Sequence, residues 1–187
     1  MKIFISYPPI ESKKGTAQIG QNRQFQWFAK HSVIYPIVPA SAATLLATKG
    51  YEVFWDDAIA KQQSYDAWLD GILIAKPEVI VIETKTPVVK MHWKIINELK
   101  HKLPNTTLVL MGDHVTEMPE ESMKNSRVDF VLTGGDYDFL LLSVCEHLRT
   151  KGKHRLEPGI WYRANELNKE VIKHTGKFEM CHNLNEL

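Results

Sequence analysis

The sequence predicts an α/β domain: a doubly wound, mostly parallel sheet of five strands with a small β-hairpin extension at its C-terminal end. Three observations lead there. Short apolar runs alternate with helix-like segments five times along the chain. The runs at 78–82 (EVIVI), 107–111 (TLVLM) and 128–132 (VDFVL) are too short for helices and do not alternate cleanly, as expected of strands covered on both faces. Polar or glycine-containing turns stand directly after the runs, where open α/β sheets hold their ligands.

The first strand is 2–6 (KIFIS), ended by Tyr7, Pro8 and Pro9 because proline cannot continue a hydrogen-bond ladder. Residues 10–38 are polar and then aromatic without a period, the pattern of a functional or mobile loop. Within it, 24–28 (QFQWF), Tyr35 and Pro36 supply aromatic surface that would cover a flat ligand, face a partner or pack on the core. Pro39 opens a helix of small residues that Gly50 stops. The second strand, 51–55 (YEVFW), closes at Asp56 and Asp57, carboxylates that either accept from a ligand or cap the next turn. A helix over 64–75 places Tyr65, Trp68, Leu69 and Ile72 on one face. Strand 78–82 ends in Glu83, Thr84, Lys85 and Thr86. The next helix runs from Pro87 to about His101 with Val88, Met91, Ile95 and Leu99 on its apolar side, which leaves His92 as a surface or interface histidine.

The run at 107–111 breaks at Gly112 into Asp113, His114, Val115 and Thr116, bringing carboxylate, imidazole and hydroxyl groups to one rim. This loop either meets a ligand or is a plain turn in which Thr116 caps a helix over 117–124. After 128–132 come Thr133, Gly134, Gly135 and Asp136. The glycines permit close backbone approach or positive φ, and Asp136 can cap a helix over 137–149. A basic hinge (151–155, KGKHR) leads to strands at 159–163 and 170–173, a hairpin that is marginal alone. The expected organisation is a domain over 1–150 and a hinge, hairpin and linker over 151–187. In a flavodoxin-like strand order of 2-1-3-4-5, the ends of strands one, three, four and five converge on a single rim.

Composition narrows the partners. A chain of 187 residues that is 44% hydrophobic suits one domain, and a net charge of +1 gives no footprint for nucleic acid. No run approaches the roughly 18 apolar residues of a membrane span, and the N-terminus lacks a signal-peptide pattern, so cytoplasm without membrane contact is the default expectation. The two cysteines are too few for a disulfide framework or a four-thiolate site. Cys145 reads as a core thiol, and Cys181 beside His182 as a tail residue.

Taken together, the proline turn after strand one, Tyr35-Pro36 before the small-residue helix, MGDHVT after strand four, VDFVLTGGD and PGIWYR resemble the cobalamin-binding domain at the N-terminus of many radical S-adenosylmethionine enzymes. The similarity covers about residues 1–163, with MGDHVT close to that family's usual Gly-Gly-Pro-His-x-Thr. The resemblance implies a corrinoid lying across the strand ends and meeting the turns at Tyr7, Pro8, Pro9, Tyr35, Pro36, Thr84, Thr86, 112–116 and 133–135. It further implies an iron–sulfur barrel in cis that uses S-adenosylmethionine and a 4Fe-4S cluster for methyl transfer or related radical chemistry. Such a barrel needs Cys-x-x-x-Cys-x-x-Cys, which this chain lacks, so it alone is expected to be a non-catalytic module of a longer parent. No histidine here follows Asp-x-His-x-x-Gly, and none is expected to ligate cobalt; His114 is expected to orient its loop or touch the corrin edge.

A stand-alone enzyme, such as a nucleotide-sugar transferase or small hydrolase using Asp113 or His114 as base, is the competing class. It lacks a Gly-x-Ser-x-Gly elbow, a phosphate-cradling lysine loop and a two-histidine metal spacing. Receiver-type signalling and flavin binding fit less well. Glu83 stands where an acceptor Asp would, and the turn after strand one is not a run of Ser, Thr and Gly.

Overall fold

The computed structural model describes residues 1–19, 25–167, 169–180, 182–183 and 185, so Gln24 and Cys181 lie outside the described residues. In chain order the elements are β1 (Lys2–Tyr7), β2 (Thr16–Gln18), β3 (Gln26–Phe28), α1 (Ile37–Thr48), β4 (Glu52–Asp57), α2 (Tyr65–Ala75), β5 (Val79–Glu83) and α3 (Val89–Lys102). They continue with β6 (Thr107–Met111), α4 (Asp113–Glu117), α5 (Pro119–Asn125), β7 (Phe130–Leu132), α6 (Tyr137–Arg149), β8 (Ile160–Glu166) and β9 (Lys169–His174).

The main sheet runs β4-β1-β5-β6-β7-β8-β9. Its first five strands are parallel, with Ile3 opposite both Val53 and Val79, Ile80 opposite Leu108 and Leu110 opposite Val131. Alternation sorts their side chains into two layers. Ile3, Ile5, Val79, Val81, Val109 and Leu132 pack with Leu46 of α1 and Leu140 and Val144 of α6. Ile80, Ile82, Leu108, Leu110 and Val131 pack with Trp68 and Ile72 of α2 and Trp93, Ile96 and Leu99 of α3. Helices on both faces explain why the central strands are apolar throughout. Cys145 is buried in the first layer, and burial pushes its thiol up to about 12, so it stays protonated.

Three expectations need correction. The main sheet has seven strands, not five, because β8 pairs antiparallel with β7 through Leu132 and Ile160, and β9 extends it. The hairpin is thereby part of the sheet. Arg163 of β8 fastens it further, donating to the Val128 carbonyl at 2.7 Å, to the Ser126 carbonyl at 2.6 Å and to the Met123 carbonyl.

Residues 10–38 also contain regular structure, since β2 and β3 pair antiparallel and Ala17 and Ile19 are buried against the first layer. The third correction concerns His92, which is fully buried rather than on the surface. It shares a stripe with Val89, Ile96 and Leu99, one position round the helix from the stripe that composition alone selects.

Candidate functional site

Hydrogen bonds tie the carboxyl ends of four of the five parallel strands, β1, β5, β6 and β7, and the turns that follow them into one rim. From β1, the Tyr7 hydroxyl donates to Glu83 Oε2 of β5 at 2.5 Å. From the turn after β5, Lys85 pairs with Asp113 after β6, and Thr86 Oγ1 lies 3.2 Å from His114 Nδ1. From α4, Thr116 Oγ1 accepts from the Gly134 N–H after β7 at 3.2 Å, and it lies 3.0 Å from the Tyr137 hydroxyl.

Gly112 makes the close approach of β5 and β6 possible. Its φ is +121°, and a Cβ placed there would overlap the Thr84 carbonyl oxygen. Only glycine meets both conditions at once. The break in the apolar run is therefore a packing requirement as well as a strand end.

Beneath the rim the polar groups are buried. Glu83 is 1% exposed and its Oε1 has no hydrogen-bond partner among the described residues. Burial pushes its carboxyl up to about 7, against the opposing effects of the Tyr7 hydrogen bond and Lys85. Burial likewise holds Tyr137 up at about 12 and His92 down at about 4. Neutral His92 sits with Nδ1 2.8 Å from Thr84 Oγ1, while its Nε2 has no partner among the described residues.

The sequence-selected residues divide by exposure. Asp113, Thr86 and Tyr35 are exposed; Gly134 and Gly135 are half-buried. Tyr35 stacks on Trp55 at 5.9 Å, and Trp55 in turn meets Tyr7 at 5.6 Å. Tyr7, Pro8, Pro9 and Pro36 are buried, as are Thr84, Gly112, Val115 and Thr133. The Thr84 hydroxyl is committed to His92, and that of Thr133 donates to the Gly159 carbonyl at 2.7 Å.

The His114 side chain, bonded to Thr86 at the rim, is only 6% exposed, set edge-on to Trp93 and 3.1 Å from Glu121 without hydrogen-bond alignment. Thr116 does not cap a helix at 117. A short helix, α4, already begins at Asp113, and the Thr116 hydroxyl ties turns together from inside it. Asp136 precedes α6 without a side-chain cap; its carboxylate meets His182 instead. Asp57 does act as a cap, accepting from the Ala60 N–H at 2.8 Å.

Sequence reading missed Glu83, Lys85, His92 and Tyr137 as members of the network. Lys85 had one visible signal, its place between two threonines on a strand end. Among the described residues no group of three or more His, Cys, Asp or Glu side chains could hold a metal ion, and no helix is long and apolar enough to cross a membrane.

No protein-family model matches the sequence, and no curated protein matches it. Solved structures do resemble the fold. The radical S-adenosylmethionine methyltransferase TsrM from Kitasatospora setae, with cobalamin and a 4Fe-4S cluster bound, aligns over 98% of this chain and 30% of its own, with a TM-score of 0.67 and 15% identity. The cobalamin-dependent S-adenosylmethionine radical enzyme OxsB, with aqua-cobalamin and S-adenosylmethionine bound, aligns over 96% of this chain and 22% of its own, with a TM-score of 0.69 and 12% identity. The likeness is one of fold, and this chain spans less than a third of either neighbour.

Proposed function

We propose that this chain is a cobalamin-binding module acting in cis with a radical S-adenosylmethionine barrel, in methyl transfer or related radical chemistry. One observation carries the reading: four sequence-distant strand ends and the turns after them are hydrogen-bonded into one rim on a sheet whose fold matches proteins solved with cobalamin bound. Cobalamin, when bound, supplies the organometallic cobalt chemistry, and the protein supplies binding and orientation.

Part of the rim suits such a macrocycle. Above Gly135 a Cβ would meet none of the described residues within 4 Å, and the Asp113 side chain is 58% exposed. Thr86, Asp113 and Gly135 would then receive the corrin edge and its amide arms, with Tyr35 as an aromatic side wall. Thr84, His114 and Thr116 would hold the turns from below. His114 stays an orienting residue in this reading, because Thr86 and Trp93 enclose its ring. At Gly134 the fit is conditional, since a Cβ there would overlap the Phe178 ring. A stand-alone enzyme using His114 as base gains no support from so enclosed an imidazole.

The test is incubation of the purified chain with hydroxocobalamin, followed by desalting and visible spectroscopy. A retained corrinoid band near one equivalent is expected; complete loss on desalting overturns the reading. Cys-x-x-x-Cys-x-x-Cys in further coding sequence would supply the cluster ligands this chain lacks.

A further inference from the structure

After β9 the chain turns back over the β7 end of the rim. Thr175 anchors the turn: its hydroxyl donates to the Glu157 carbonyl at 2.6 Å and accepts from the Ile160 N–H at 3.0 Å. Gly176, at φ +107°, redirects the backbone, and its carbonyl accepts from the Gly159 N–H at 3.3 Å. Phe178 then drops its ring over two glycines. A Cβ at Gly134 would overlap that ring, and one at Gly159 would lie 3.0 Å from Phe178 Cβ.

Further on, His182 lies flat on Phe139 at 4.2 Å and 3°. Its Nε2 is 2.6 Å from Glu157 Oε2 and its Nδ1 3.3 Å from Asp136 Oδ2. Glu179 and Met180, which follow Phe178, are exposed.

We infer that residues 177–180 form a displaceable strap that closes the β7 end of the ligand seat, with Phe178 as its plug and the His182 side chain, farther along the chain, as its latch. The inference rests on the cobalamin reading for the identity of the ligand, but the strap's docking can be measured without it. The plug occupies the flank of Gly134, the turn residue that Thr116 ties to the rest of the rim. A macrocycle spanning all four turns therefore reaches its full seat only when Phe178 leaves. A seat open for a fraction of the time binds with its affinity reduced by that fraction.

The latch also gives the strap a pH response. The described charged groups facing His182 are Glu157, Asp136 and, on α6, Asp138. Burial lowers the imidazole's proton affinity, but the hydrogen bonds to Glu157 and Asp136 outweigh it and leave the ring above its ordinary 6.5. The docked strap thus binds a proton more tightly than the free one. Its stabilisation is complete below pH 6.5 and fades as pH rises through the raised value.

The experiment mixes hydroxocobalamin with the wild-type chain, Phe178→Ala and His182→Ala at pH 7 and follows uptake. In parallel, hydrogen exchange follows the peptide containing Phe178 and the Gly159 amide. Phe178→Ala should take up cobalamin about tenfold faster than wild type, His182→Ala should fall between them, and ligand should release Phe178-peptide protection in wild type. The wild-type to His182→Ala uptake ratio should approach one as pH rises. Equal or slower uptake by both variants overturns the strap and leaves the cobalamin reading standing. Uptake by none of the three overturns the cobalamin reading. The strap is overturned as well if His182→Ala leaves the exchange of the Phe178 peptide unchanged.

Discussion

The two ends of the rim are built differently. Around the end of β5 the rim is joined by bonded groups that are buried except for Thr86: Thr84 with His92 of α3, Thr86 with His114 after β6, and Glu83 with Tyr7 of β1. At β7 the corresponding space is filled by Phe178 and His182, half-buried side chains near exposed Lys177, Glu179, Met180 and Asn183. Removing a member of the first set strands a polar partner without water, whereas removing one of the second exposes groups that solvent can satisfy. The first end is therefore fixed framework and the second a reversible closure.

Gly112 gives the strongest way to break that contrast. Gly112→Ala adds a Cβ against the Thr84 carbonyl in a backbone conformation that alanine rarely adopts, and we expect a loss of about 4 kcal/mol in urea unfolding. Gly135→Ala is its control, since a Cβ there meets none of the described residues within 4 Å and the φ is not positive; the expected change is within about 0.5 kcal/mol. Similar losses for the two would mean that β5 and β6 are not packed as described.

Glu83 sharpens the comparison through pH. Its carboxyl rises from 4.5 to about 7 on folding, so the folded state binds the proton more tightly. The stability this gives is whole below pH 4.5 and lost as pH climbs through 7. Glu83→Gln keeps an oxygen for the Tyr7 hydroxyl and cannot ionise. It should exceed wild type at pH 8 by on the order of 3 kcal/mol, with the gap closing near pH 4. His92 acts in the opposite sense. Depressed from 6.5 to about 4, it gives stability present above pH 6.5 and lost as pH falls through 4. The two slopes oppose each other between in wild type, so the stability of Glu83→Gln should rise with pH where wild type is nearly flat.

How much of this was legible in the sequence follows the same division. The parallel strands were readable because burial on both faces writes an uninterrupted apolar run, as at Val79–Glu83 and Thr107–Met111. The turns were readable as places but not as chemistry, because Thr84 bonds His92 and Thr116 bonds Gly134 across distances in sequence that no local pattern records. β2 and β3, three residues each, are too short to show a period. His92 was misplaced because a buried imidazole on an apolar stripe looks like a polar interruption of it. Phe178 stands two residues past a turn glycine and belongs to no element, so nothing local in the sequence ties it to Gly134.

Thr84→Val comes next in size. It keeps the shape of the side chain but leaves His92 Nδ1 without its partner in a fully buried site where Nε2 already lacks one among the described residues. We expect a loss of about 2 kcal/mol, read as a shift of the urea midpoint at unchanged slope. A neutral result would mean that the His92 pocket admits water and that this end of the rim is less fixed than its burial implies.

Apart from the Gly135 control, Phe178→Ala should have the smallest effect on global stability. Its ring is half-buried and lies over glycines rather than between core side chains, and the strands beneath it are secured elsewhere by Arg163 and by the β7–β8 ladder. The global unfolding free energy should therefore change by less than about 1 kcal/mol, while amide protection around Gly159 and Gly176 falls. The pairing of a large local change with a small global one separates a closure from a core contact. A global loss approaching that of Thr84→Val would place Phe178 in the framework, and the two ends of the rim would then be alike.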